Sequence, residues 1–195
     1  MEKLKRSESY INPNYINENS MMSELIFNEL IDHLKDLDVK VIIPDDIISI
    51  EALLDQAEND IPQRLSLIQE KINLDLRDLP IDILFDKLLG IDSLISFKGN
   101  IHPCDITTGQ ATVVKNKRQK MQELSPFYST IGIKGVPLVI KLIKPNSSID
   151  TSLNFLQQLE EFLYIREEVL SRYEGNKVDI PKKTLSYISS AAIRL

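Results

Sequence analysis

The feature that most constrains this chain is a two-residue break, Gly99-Asn100, set between two strand-like runs. These are IDSLISFK (91–98) and IHPCDITT (101–108). Glycine at the first turn position suits a type II′ hairpin, and a two-residue turn fixes the pairing register. Lys98 then faces Ile101, Leu94 faces Asp105, and Asp92 faces Thr107. Side chains alternate faces along a strand, so Asp92, Leu94, Asp105 and Thr107 point the same way. Asp92 and Asp105 become diagonal neighbours, with Cβ atoms roughly 7 Å apart.

Two acids on one face of a hairpin repel each other unless a cation lies between them. Mg²⁺ or Mn²⁺ suits such a pair: Mg²⁺ takes oxygen ligands and commonly only one or two protein carboxylates. The plainer reading is that each aspartate caps a turn or faces solvent. A basic run, Lys115, Lys117, Arg118 and Lys120, follows at once. Such a run is usually a solvated helix face. Beside a metal site it would instead meet phosphate, and Lys134, Lys141 and Lys144 would extend the patch.

The rest of the chain frames this hairpin. Residues 1–20 are polar, Asn-rich and without period, and read as a flexible arm. A helical pattern starts near Met22, with Ser23 as its cap and Met22, Leu25, Ile26, Leu30, Leu34 and Leu37 as its stripe. At 100° per residue Glu29 and His33 fall within that stripe. They form either a satisfied i,i+4 pair, or Glu29 looks toward the aspartates as a further metal or water ligand. VKVII (39–43) reads as a strand stopped by Pro44. Residues 45–88 form a helical insertion, with Pro62 and Pro80 near helix starts. Beyond the hairpin come a helix over about 110–124 and a buried strand, VPLVIKLI (136–143). A long amphipathic helix spans about 150–173, with Leu156, Leu159, Leu163, Leu170 and Tyr173 as its stripe and Gly175-Asn176 as its stop. A short helix ends the chain. The order predicts an α/β domain over 21–175 with a central mixed sheet flanked by helices; residues 176–195 are an extension.

Composition narrows the chemistry. A net charge of −6 and a pI near 5.0 exclude a uniformly basic nucleic-acid coat, though a local patch still attracts phosphate. The single cysteine, Cys104, excludes an internal disulfide and a multi-cysteine zinc site, and fits a reducing cytoplasm. It sits on the hairpin face opposite Asp105, as a core residue. His33 and His102 are too few and too separated for a histidine metal cluster. The six glycines form no phosphate-cradling loop. No stretch is apolar and long enough to span a bilayer.

The residues GID (90–92) and CDITTGQ (104–110), with the Lys/Arg-rich segment after them, resemble the PD-(D/E)xK nuclease superfamily. That fold is an α-β-β-β-α-β core, and its signature is an aspartate early in one strand, then an acid two residues before a lysine on the next. The resemblance covers roughly residues 22–145, its specific part being 90–120. It implies a restriction-endonuclease-like core carrying an extra helical insertion. It also implies Mg²⁺ (or Mn²⁺) on Asp92, Asp105 and the backbone carbonyl of Ile106, and metal-assisted hydrolysis of DNA. Thr107 stands where the family has its lysine. Some members supply that lysine from the following helix, which points to Lys115 or Lys117, with Lys115 preferred. Lys117, Arg118 and Lys120 would otherwise hold backbone phosphates. Two further readings stay open: an inactive relative that keeps the fold and the DNA contact, and an unrelated interaction protein docking through its 153–173 helix. A double-strand cut would call for a homodimer or a protein partner.

Overall fold

The computed structural model describes residues 18–72, 74–143, 147–164, 180 and 182–193. Most of the expected arm, Lys144, Leu170, Tyr173 and the expected stop at Gly175-Asn176 lie outside them.

The first helix, α1 (Glu18–His33), starts upstream of Ser23, which is buried within it rather than capping it. β1 (Val39–Ile42) follows. The insertion forms α2 (Ile50–Asp60), capped by the Ser49 side chain, α3 (Pro62–Lys71) with proline in its first turn, and α4 (Ile81–Leu84). α4 runs into a π-helical turn, Phe85–Leu89, that ends at Gly90 with φ 72°. β2 (Ser93–Phe97) and β3 (Asn100–Thr107) form the expected hairpin. α5 (Ala111–Thr130) is longer than its sequence pattern and contains Pro126. β4 (Leu138–Ile143), α6 (Phe155–Glu160), β5 (Glu161–Leu163) and α7 (Lys182–Ile193) complete the described elements.

Among these residues lies one five-stranded sheet in chain order, β1-β2-β3-β4-β5. The first two pairings are antiparallel and the last two parallel, so the chain is α/β with a mixed sheet. One face packs under α1, α6 and α7 through Ile95, Phe97, Cys104, Ile106, Leu138, Ile140 and Leu142. The other packs under α5 and the insertion through Leu94 and Val139, against Met121, Leu124 and Tyr128. The insertion shares that second core and is not an appendage.

Three expectations change. The hairpin turn is Lys98-Gly99, at φ 49° and 76°, with Phe97 opposite Asn100. Positive φ at both turn residues is the type I′ geometry, which follows the natural strand twist. Over the described part of the expected 150–173 helix, up to residue 164, the helix is a short one. An Asn154–Gln157 capping box starts α6 at Phe155, and Glu161–Leu163 then joins β4 as a parallel strand. On α1 the buried stripe is Ile26, Phe27, Leu30, Ile31 and Leu34. Phe27 and Ile31, rather than Leu25, complete it, and this rotates Glu29 off the apolar face.

Candidate functional site

The shifted turn moves each β2 residue's partner by two, so Leu94 pairs with Pro103 and Ser93 with Cys104. A shift of two leaves every side chain on its expected face. Asp92 lies one step beyond the ladder, across from Asp105 rather than diagonal to it. Its N–H donates to the Cys104 carbonyl at 2.8 Å. Its Oδ2 accepts the Ile106 N–H at 2.7 Å, so Ile106 meets the site first through its amide, while its side chain enters the opposite core.

Asp92 is half-buried and Asp105 is 4% exposed. The Asp92 carboxyl is pushed up to about 8, first by burial and then by the Asp105 carboxylate; the Ile106 N–H pulls it back, Glu24 raises it further and Lys117 lowers it. Asp105 forms an ion pair with Lys117 Nζ. Lys117 reaches it because Lys117, Met121 and Leu124 share the inner face of α5. Lys115, two residues earlier, points away. It lines an open groove with Arg118, Gln119, Gln122, Lys141 and Glu161. The lysine on the acid is therefore Lys117, not Lys115.

Thr107, at the family's lysine position, is buried, and its Oγ1 accepts the Gly109 N–H at 3.0 Å. Its hydroxyl closes the turn into α5. Across the parallel ladder its partner is Lys141, a second lysine on the same face. Arg118 donates to Glu160 Oε1 at 3.1 Å, and the same oxygen accepts the Val139 N–H. Lys120 lies over Gly90.

Glu29 does not face the aspartates; its carbonyl meets His33 Nδ1 at 3.0 Å. The acid of α1 that bears on Asp92 is Glu24, and one turn later Asn28 accepts from Ser93 Oγ at 3.2 Å. Sequence reasoning missed Glu24 and Glu160, whereas Lys141 was among the lysines expected to extend the patch. The i,i+4 spacing of Glu24 and Asn28 and the Asn154–Gln157 capping box were the available signals. Cys104 is fully buried in the other face, its thiol pushed up by burial, as expected of a core residue.

Among the described residues no three His, Cys, Asp or Glu side chains gather into a metal cage. The donor set nevertheless fits a hard divalent cation, since Asp92 and Asp105 supply adjacent carboxylates and Mg²⁺ commonly completes its shell with water and substrate oxygen. A cation there would favour the ionised form of Asp92, which burial now opposes. Among the described residues no helix is long and apolar enough to cross a membrane. No family model, no curated protein and no solved structure matches this chain.

Proposed function

We propose that this protein is a divalent-cation-dependent phosphodiesterase acting on DNA, an endonuclease or nuclease subunit with a restriction-endonuclease-like core. One observation carries the reading: Asp92 and Asp105 meet at the end of an antiparallel pair, and Lys117 from the next helix contacts Asp105. A lysine beside the second acid is what Thr107 fails to supply. The order α1-β1-β2-β3-α5-β4 also supports it, being the α-β-β-β-α-β order of that core with a helical insertion after β1.

A bound divalent cation would draw charge from the scissile phosphate and lower the pKa of a coordinated water. Asp92 and Asp105 are the residues to hold it. The Ile106 N–H fixes the Asp92 carboxylate in direction. With a cation held there, Lys117 would be freed from Asp105 to orient the water and stabilise charge on the phosphate. Water adds to phosphorus and loses a proton to solvent, the bond to the leaving oxygen breaks, and that oxygen takes up a proton from solvent. Arg118 is held by Glu160 at the edge of the groove lined by Lys115 and Lys141, where the flanking strand would run.

A second reading rests on the same contacts. Asp92 already caps the Ile106 N–H and Asp105 already holds Lys117, which is how an inactive module would retire its carboxylates. The test is incubation of the purified chain with supercoiled plasmid and with single strands, in Mg²⁺, Mn²⁺ or EDTA, beside Asp105→Ala. Cleavage that needs the cation and Asp105 is the expected outcome. Salt-sensitive DNA binding without cleavage in any cation would favour the inactive module.

A further inference from the structure

Arg64 has no place in the mechanism above. It stands on α3, inside the insertion, and its Nε donates to the Leu88 carbonyl. Lys120 arrives from α5 on the other side. Its Nζ lies 3.3 Å from where a Cβ on Gly90 would be. Two cations from separate elements thus rest on residues 88–90, the turn that leads through Ile91 into Asp92. Tyr128 occupies the carbonyl between them, its hydroxyl donating to Leu89 at 2.9 Å.

The nearby acids are already engaged. Asp86 holds Lys87 at 2.5 Å, and Asp105 holds Lys117. Among the described residues neither Arg64 nor Lys120 has an ion pair. Burial and the Arg64 charge both draw the Lys120 ammonium down. Asp105 and Asp86 offset part of the charge on Lys120, but both are paired with other lysines, and the two cations still repel each other. An anion reverses that sign, and a guanidinium with its Nε anchored still presents N–H donors in the planar fork that suits phosphate.

We propose that Arg64 and Lys120 form a clamp for a nucleic-acid backbone phosphate next to the scissile one, so that the helical insertion is part of the substrate surface. The identity of the ligand rests on the phosphodiesterase reading. Residues 88–90 end two residues before Asp92, so the clamp rests on the segment that leads into the carboxylates.

The test uses the full chain, with Arg64→Gln and Lys120→Gln, binding a fluorescent DNA duplex in EDTA across a series of salt concentrations. Each variant is expected to reduce the slope of log K against log salt by about 0.9, the loss of one phosphate contact; the midpoint of Lys120→Gln stays unchanged, while Arg64→Gln also loses its bond to Leu88. A merely structural role for Arg64 would move the midpoint and leave the slope alone. Lys120 is exposed over most of its side chain, with its ammonium end drawn in over Gly90, and among the described residues it has no hydrogen bond to lose, so its variant decides the matter if Arg64→Gln fails to fold. Unchanged slopes, or no DNA binding by the wild type, would overturn the clamp. Cleavage in Mg²⁺, run in parallel, separates the two ideas. Altered slopes without wild-type cleavage keep the clamp and sink the nuclease; cleavage with unaltered slopes does the reverse.

Discussion

Along β3, Cys104 and Ile106 point into the core beneath α1, while Asp105 and Thr107, between and beside them, point into the face beneath α5. On the α1 side the buried strand residues are apolar except Ser93 and His102, whose side chains meet Asn28 and the Val136 carbonyl. On the α5 side Leu94 and Val139 give way, toward the carboxyl ends of β3 and β4, to Asp92, Asp105, Thr107 and Lys141. That end of a parallel pair is where ligands commonly bind in α/β sheets. One face therefore supplies the cohesion that lets the other keep two acids close together.

The sharpest test sets one residue of each face side by side. Asp105→Ala should reduce cation-dependent cleavage about a thousandfold or more, several kcal/mol of transition-state stabilisation, and leave the thermal midpoint near wild type. Ile140→Ala, on the dry face and fully buried, should cost about 2–5 kcal/mol of stability in a denaturant titration, with cleavage per folded molecule unchanged. If Asp105→Ala unfolds the chain instead, the division between the faces fails.

Next comes the choice between two lysines on one helix. Lys117→Met should lower single-turnover cleavage about 10²–10⁴-fold, the span expected for a group assisting proton transfer or water attack. Lys115→Met should stay close to wild type, with only a weaker dependence on salt. The opposite ranking would return the role to the residue that sequence reading prefers.

A smaller effect lies in pH. The Asp92 carboxyl titrates at about 8 in the folded protein against an ordinary 3.8, so folding takes up a proton between those values. That contribution to stability is fully present below about pH 4 and is lost as pH rises through about 8. In EDTA the thermal midpoint should fall across this window. Asp92→Asn should flatten the fall, and Mg²⁺ should restore stability at its upper end. A midpoint that rises over the same range would contradict the burial of Asp92. The smallest change expected is from Glu24→Gln, which should lower the Asp92 titration by a fraction of a unit in carboxyl-carbon NMR, while Glu29→Gln leaves it in place.

How much of this was legible depended on period. The hairpin, its face assignment and the pairing of Asp92 with Asp105 follow from alternation and survive a two-residue error in register. The turn itself did not, because Gly99 serves either as the first residue of one turn type or the second of another, and only the fitted strand twist selects Lys98-Gly99. Prolines marked the starts of α3 and α4, while α2 begins at its Ser49 cap. Within 150–164 the expected helix is cut short because leucine spacing cannot register the free edge of β4, which takes up Glu161–Leu163 as a strand. A stripe drawn through Leu25 centres the apolar face on Glu29 and leaves Glu24 unnoticed. Lys117 and Lys115 were both visible, and only the start of α5 at Ala111 decides which of them faces inward.

The sheet runs in chain order, yet its first two strands are separated by the whole insertion. In kinetic terms these pairings are unequal. The β2–β3 hairpin closes over two residues, an event on the microsecond scale. Bringing β1 to β2 requires the ends of a long segment to meet, a cost that grows with the logarithm of its length and falls once α2, α3 and α4 have packed. Mutations at Ile95 or Cys104 should therefore slow folding, while those at Val39 should chiefly speed unfolding in a chevron analysis. On that order of events, the two acids are brought together before the insertion that carries Arg64 has docked beside them.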